Sequence, residues 1–171
     1  MSLFSETCEK AARAGGEVVL AWRERFEVRH KGPADLVTQA DLASQQAIRS
    51  IVHNSFPDHA FVGEENDWED PNLAAESGAG DLGIHSLAEF VWLVDPLDGT
   101  TNYVHGVPHY AVSVAIARRS DDQILAGSIF DPVSEECFTA SVGQGAWLGD
   151  KRLKTSGISD LESALVACSV P

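Results

Sequence analysis

The sequence predicts an α/β protein in which two amphipathic helices come first and a series of short strands follows. In two N-terminal stretches, apolar residues recur every three or four positions, which is the period of a helix with one buried face. From residue 60 onward they gather in short runs separated by turn residues, as strands do. Apolar residues make up 44% of the 171 positions, which is enough to bury a core.

The first helix is predicted over residues 4–26. Phe4, Cys8, Val19 and other apolar residues of this stretch fall on one face at helical spacing. Gly15 and Gly16 weaken the middle of the helix, and we interpret them as the place where another element packs closely.

Residues 27–37 are predicted to form either a short strand pair or an excursion of the chain, with a turn at Gly32 and Pro33. Thr38 followed by Asp41 resembles an N-cap with an acidic residue in the first helical turn. The second helix should therefore begin at Thr38 and run to about Phe56, before Pro57.

Strands are predicted for the rest of the chain, at 60–63, 89–94, 110–117, 124–130, 136–141 and 146–148. Residues 66–88 are acidic, and their apolar residues follow neither the helix nor the strand period. We therefore predict a loop with a short helical stretch near 86–89. Residues 151–161 form a polar connection, and 164–170 begin a further strand for which the chain offers no partner. We therefore expect a domain at 1–150 and, at 151–171, a linker with the first strand of a second, missing domain.

The charge of the chain excludes some classes of partner. Asp and Glu number 26 against 12 Lys and Arg, a formal charge of −14. A general nucleic-acid binder needs the opposite balance, and anionic membrane surfaces are disfavoured too. An acidic protein that handles phosphate must recruit cations.

The cysteines and the apolar profile predict a cytoplasmic protein. Cys8, Cys137 and Cys168 are an odd number without metal-site spacing, which is typical of reduced structural thiols. The N-terminus shows no signal-peptide pattern, and no apolar stretch is long enough to span a bilayer.

The most informative carboxylates follow the apolar strand that ends at Val94. Asp95 and Asp98 lie at its C-terminal end. A Gly-Thr-Thr turn follows at 99–101 and is suited to begin a helix. Free backbone N–H groups at such a start can seat a phosphate, and Asp oxygens are ligands that Mg²⁺ prefers. Pro96 stiffens the turn and exposes the carbonyl of Leu97 as a further ligand.

Taken alone, Asp-x-x-Asp-Gly is as well explained by an ordinary turn. Glu64 and Glu65, however, end another apolar strand, and adjacent acids there repel each other unless a cation lies between them. Thr38-x-x-Asp41 on its own is better explained as a capping box. Together these acidic ends predict a multi-metal site for phosphoryl chemistry.

Three segments resemble the first three signatures of the inositol monophosphatase family, and they occur in the family's order. They are Asp-Leu-Val-Thr-Gln-Ala-Asp at 35–41, Gly-Glu-Glu at 63–65, and Trp-Leu-Val-Asp-Pro-Leu-Asp-Gly-Thr-Thr-Asn at 92–102, continued by Tyr-Val-His-Gly. The resemblance implies Mg²⁺-dependent, Li⁺-sensitive phosphatase chemistry and a homodimer. It also implies the N-terminal part of a layered αβαβα sandwich, with two helices packed on a mostly antiparallel sheet.

The resemblance implies metal ligands at four positions. Glu64, Asp95 and the Leu97 carbonyl would hold a first Mg²⁺, and Asp95 with Asp98 would hold a second. Glu65 would lie beside a weaker third metal.

The resemblance also implies catalytic and substrate-binding roles. Glu64 and Thr100 would orient and deprotonate the attacking water, with Asp41 hydrogen-bonded to Thr100. The backbone N–H groups of Gly99 and Thr100 would hold the phosphate. The residues implied around the substrate are Glu64, Leu97, Asp98, Gly99 and Thr100.

The expected function is therefore Mg²⁺-dependent hydrolysis of inositol 1-phosphate by attack of metal-activated water. The family's fourth signature, a Trp-Asp-x-Ala-like helix start whose aspartate completes the second metal site, does not follow residue 104. We therefore expect the 171-residue chain to be a poor catalyst by itself. Three alternatives remain open: a related phosphatase acting on histidinol phosphate, fructose bisphosphate or 3′-phosphoadenosine; a non-catalytic partner in a transcription complex; and a fragment with no independent role.

Overall fold

The computed structural model describes residues 2–23, 25, 28–32, 35–64 and 88–167, with 28–32 and 35–37 by backbone alone. The helices are α1 (Leu3–Trp22), α2 (Gln39–Ser55) and α3 (Thr100–Val104). The strands are β1 (Val28–Gly32), β2 (Asp35–Thr38), β3 (Ala60–Gly63), β4 (Phe90–Asp98), β5 (Ala111–Arg118), β6 (Gln123–Asp131), β7 (Glu136–Ser141), β8 (Gly145–Leu148) and β9 (Lys151–Arg152). Glu65, Cys168 and residues 66–87 of the loop predicted at 66–88 lie outside the described residues.

Seven of these strands form one sheet in the order β3-β4-β5-β6-β7-β8-β9. β3 pairs with β4 in parallel, and every later neighbour is antiparallel. β1 and β2 form a separate antiparallel pair. The strand pair and the mostly antiparallel sheet are therefore confirmed.

α1 and α2 cover one face of this sheet. On β5, the alternating side chains of Val112, Val114 and Ile116 point to the helices and are fully buried. On the opposite face Ile129 and Phe138 keep 49% and 38% of their surface exposed. The fold is thus two helices packed on one side of the sheet, as predicted.

Both long helices begin with a side-chain cap, and that of the second helix is the one predicted. The hydroxyl of Ser2 accepts a hydrogen bond from the Ser5 amide at 3.2 Å, and Thr38 with Asp41 forms a capping box on α2. α2 ends at Ser55, as predicted, whereas α1 ends at Trp22, four residues short of the predicted Phe26.

The two glycines in α1 mark close packing, as predicted. A Cβ at Gly15 would meet Ser44 and Ile48 of α2, and a Cβ at Gly16 would meet the ring of Phe130 on β6. α1 therefore lies in direct contact with both the second helix and the sheet.

After β9 the chain leaves the sheet. Residues 153–167 form neither helix nor strand, and the apolar side chains of Leu161, Leu165 and Val166 are largely exposed. The strand predicted at 164–170 is thus not present in its described part, and 168–171 lie outside that part. The division into 1–150 and 151–171 stays a prediction.

The described thiols suit a structural role. Cys8 and Cys137 are free and buried, and burial raises the pKa of Cys8 to about 12 and that of Cys137 above its usual value. A thiol held neutral in this way is a poor nucleophile. No helix within the described ranges has the length and apolar character needed to cross a membrane.

Two buried tyrosines offer a matched test of how α3 is attached to α1. The Tyr103 hydroxyl donates to the Val19 carbonyl at 2.9 Å, whereas the Tyr110 hydroxyl has no partner among the described residues. We expect Tyr103→Phe to lower the free energy of unfolding by about 1–1.5 kcal/mol, because a buried hydrogen bond is lost. Tyr110→Phe should change it by less than about 0.5 kcal/mol. Urea denaturation measures both, and equal losses would contradict the difference.

Candidate functional site

The end of β4 contains an irregularity that orients its two aspartates. Pairing with β5 runs to Asp95↔Ser113 and then passes to Asp98↔Ala111, so β4 advances three residues while β5 advances two. In a regular strand, residues three apart face opposite sides. This bulge instead places Asp95 and Asp98 on the same side of the sheet, the side away from α1 and α2.

Glu64 reaches the same place from the neighbouring strand. It directly follows β3, and its amide donates to the Val94 carbonyl at 3.0 Å, which holds it beside Asp95. Glu64, Asp95 and Ser113 line a cleft of about 410 Å³. Two strand ends that are distant in sequence thus bring two carboxylates together.

Burial, together with the neighbouring acids, raises the pKa of Asp95 to about 7. Burial of the carboxyl group is the largest cause, followed by the charge of Glu64 and a hydrogen bond with that side chain, and then by the charge of Asp98. A hydrogen bond from the Leu97 amide to Asp95, at 3.1 Å, opposes the shift. The site therefore concentrates more negative charge than it can stabilise alone.

Gly99 links these acids to α3. Its φ of +91° is in the left-handed region that glycine adopts without strain. α3 begins at Thr100, so the first N–H groups of this short helix have no partner within it. Gly99 and Thr100 thus lie one and two residues beyond Asp98, at a helix start.

Asp41 positions Thr100 through a hydrogen bond. The carboxyl group is only 1% exposed and accepts hydrogen bonds from the Thr38 amide at 2.9 Å, the Thr38 hydroxyl at 2.6 Å and the Thr100 hydroxyl at 3.1 Å. The Thr100 hydroxyl also lies 2.9 Å from the Leu97 carbonyl. Asp41 is therefore both part of the capping box of α2 and a hydrogen-bond acceptor for Thr100.

Only some of the predicted site residues thus contact one another. Glu64 and Asp95 are in contact, Asp98 acts on Asp95 through its charge, and Asp41 contacts Thr100. Across the described ranges, no three His, Cys, Asp or Glu side chains gather tightly enough to form a metal site by themselves. A cation here would also need other oxygens, such as the Leu97 carbonyl.

Sequence reasoning missed Ser44. This fully buried residue of α2 donates its hydroxyl to the Pro96 carbonyl at 2.9 Å. No local motif marks it, although its position three residues after Asp41 puts both side chains on one face of the helix.

Comparison with known proteins gives a consistent family signal. The sequence profile of the inositol monophosphatase family matches residues 2–171. The chain is 39% identical over 165 residues to Nus factor SuhB of Pseudomonas aeruginosa, covering 95% of this chain and 56% of the relative. It is 38% identical over 160 residues to inositol-1-monophosphatase of Rhizobium meliloti, covering 94% of this chain and 52% of the relative.

Among solved structures, the extragenic suppressor protein suhB from Bartonella henselae superposes with a TM-score of 0.75. It is 32% identical, and the match covers 92% of this chain and 56% of that one. The chain therefore spans about half the length of the relatives it matches.

Proposed function

Because the chain belongs to the inositol monophosphatase family, we propose that it carries the metal-binding and phosphate-binding half of a phosphate monoester hydrolase. The observation that carries the proposal is the convergence of Glu64 and Asp95 on one cleft, with Asp98 on the same side of the sheet. The proposed substrate is an inositol monophosphate such as inositol 1-phosphate.

The donor set fits Mg²⁺. Burial and the charges of Glu64 and Asp98 raise the cost of ionising Asp95, which a divalent cation between these carboxylates would relieve. All the candidate ligands are oxygens, the type that Mg²⁺ takes. In this proposal Glu64, Asp95 and the Leu97 carbonyl hold one ion, and Asp95 and Asp98 hold another.

When bound, Mg²⁺ would neutralise the phosphate and lower the pKa of the attacking water. The chain's own residues would place the reactants. The Thr100 hydroxyl can donate its single hydrogen to Asp41 or to the Leu97 carbonyl, so its oxygen keeps a lone pair to accept a hydrogen bond from the attacking water. Glu64 offers a second acceptor for that water, and the Gly99 and Thr100 amides would donate to the phosphate.

The first test is metal binding by the 171-residue chain. We expect calorimetry to detect Mg²⁺ binding that Glu64→Gln and Asp95→Asn each weaken at least tenfold, because each removes an anionic ligand. Asp160→Asn removes the same charge from an exposed carboxylate that caps Ser163, and it should leave the affinity unchanged. If all three variants weakened Mg²⁺ binding equally, the affinity would depend only on net charge. That result would contradict the proposed site.

Turnover tests the catalytic part of the proposal. The chain spans about half the length of the relatives it matches, and the fourth signature that the resemblance implies does not follow residue 104. We therefore expect slow hydrolysis of inositol 1-phosphate in the presence of Mg²⁺. Rapid, Li⁺-inhibited turnover would show that this half suffices, and a panel including histidinol phosphate, fructose bisphosphate and 3′-phosphoadenosine phosphate would test the substrate.

A second candidate is a non-catalytic binding role, which the 39% identity to a protein named Nus factor SuhB favours. In that case the chain would act by contacting another protein. Mg²⁺ binding that depends on Glu64 and Asp95 favours the hydrolase, and its absence favours the binding role.

Two further properties belong to the proposal. We expect a homodimer, as the family resemblance implies, and sedimentation velocity of the purified chain tests it. We also expect a cytoplasmic protein, which fractionation of cells that express it tests.

A further inference from the structure

The bulge at the end of β4 determines where the proposed ligands point. It turns Asp95 and Asp98 to one face of the sheet and leaves Pro96 and Leu97, between them, buried under the helices. Without the bulge, Asp98 would face the opposite side of the sheet from Asp95. A contact outside the strand ladder is therefore needed to stabilise the bulge.

Ser44 contacts the bulge at its centre. Its hydroxyl donates to the Pro96 carbonyl at 2.9 Å, across 52 residues of sequence, and its side chain is fully buried. A Cβ at Gly15 would lie 2.7 Å from the Ser44 oxygen, so the backbone of α1 closes the other side. The hydroxyl is thus confined between two helices and the bulge, with little freedom to take another partner.

We propose that Ser44 is a positioning residue for the carboxylate site: its hydrogen bond to Pro96 holds the bulge that directs Asp95 and Asp98 to the same face of the sheet. The metal-binding consequence of this role rests on the proposed function. The geometric role does not, because it concerns only the conformation of β4.

The neighbours of Ser44 on α2 support this assignment. Asp41, one turn earlier, binds Thr100. Gln45, which is buried, places its carboxamide where a Cβ at Gly63 would lie, directly before Glu64. One face of α2 therefore contacts all three segments of the site, and Ser44 is its contact to the aspartate-bearing bulge.

Amide hydrogen exchange in metal-free buffer tests the geometric role. The Leu97 amide donates to Asp95 within the bulge, so its exchange reports the local structure. We expect Ser44→Ala to accelerate exchange at Leu97 about tenfold, through loss of a buried hydrogen bond, with little change in β5. Ser128→Ala is the matched control, because Ser128 is equally buried but contacts Cys137 on the sheet.

Ser44→Cys provides a second variant if Ser44→Ala does not fold, because a thiol is a weaker donor of similar size. It should accelerate Leu97 exchange by an intermediate amount. Unchanged exchange at Leu97 in either folded variant, or the same acceleration in Ser128→Ala, would overturn the role of Ser44.

Mg²⁺ calorimetry separates this inference from the proposed function. We expect Ser44→Ala to weaken Mg²⁺ binding several-fold while Ser128→Ala does not. A wild-type chain that binds no Mg²⁺ would refute the proposed function alone, and the exchange data would still decide the role of Ser44. Faster exchange combined with unchanged Mg²⁺ affinity would refute the link between the bulge and the ligands.

Discussion

Asp41→Ala is expected to lower the free energy of unfolding by about 2–4 kcal/mol and to abolish any hydrolytic activity. The carboxyl group is buried and accepts three hydrogen bonds, two from Thr38 and one from Thr100. Alanine leaves the buried Thr38 amide without a partner, and an unsatisfied buried donor costs about 1–3 kcal/mol. The capping box of α2 is lost at the same time. Urea denaturation and a phosphate-release assay measure the two effects.

Asp131→Ala is the matched control for this prediction. Its carboxylate accepts hydrogen bonds from the amides of Val133 and Ser134, but in an exposed turn between two strands. Asp131→Ala should cost about 1 kcal/mol, typical of lost hydrogen bonds in such a turn, and leave Mg²⁺ binding unchanged. Equal stability losses in the two variants would contradict the special place of Asp41.

Asp41→Asn separates shape from charge. Burial raises the pKa of Asp41 even though its hydrogen bonds oppose the shift, so ionisation of this group has a cost. The amide keeps the shape without the charge, and we expect a smaller loss of stability than for alanine. Activity should still fall, because an amide nitrogen turned toward Thr100 cannot accept its hydrogen.

Much of this fold follows from periodicity in the sequence. The spacing of apolar residues predicts α1 and α2, and the Thr38 cap predicts where α2 begins, because these signals are local. The runs from residue 60 onward predict β3 to β8 within a few residues of their observed bounds. The overlong prediction for α1 has a simple origin: Phe26 continues the apolar spacing, but the helix already ends at Trp22.

The site is less predictable, because its geometry depends on contacts between distant segments. The spacing of Asp95 and Asp98 alone would place them on opposite faces of a strand, and only the bulge brings them to one face. Pro96 is a local signal for such an irregularity, since proline cannot donate to a strand ladder. Ser44 carries no such signal, because its partner is 52 residues away.

Without divalent cations at pH 8, Asp95→Asn is expected to be more stable than the wild-type chain. The pKa of Asp95 is raised to about 7, chiefly by burial and next by the charge of Glu64. At pH 8 the wild-type chain must keep this carboxylate ionised beside Glu64 and Asp98. The neutral amide removes that repulsion. A gain in stability would be distinctive, because most substitutions of a partly buried residue lower the free energy of unfolding.

The pH dependence of stability follows from the same shift. A carboxyl group with a raised pKa binds its proton more tightly when folded, so the stabilisation is complete below about pH 4 and is lost as the pH rises through about 7. We expect this loss to be about 1–2 kcal/mol for the metal-free wild type, because solvent screening in the open cleft reduces the full effect. Asp95→Asn should lack this part of the pH profile.

Mg²⁺ should reverse the order of the two proteins. The ion competes with the proton for Asp95, so its stabilisation of the wild type should be larger at pH 8 than at pH 6. Asp95→Asn should show little response, and Asp160→Asn should behave as the wild type at both pH values. Thermal unfolding with EDTA and with Mg²⁺ measures all three proteins. A wild type that is equally stable at pH 5 and pH 8 without metal would contradict the raised pKa of Asp95. An Asp95→Asn variant that gains as much stability from Mg²⁺ as the wild type would show that Asp95 is not a ligand of the cation site.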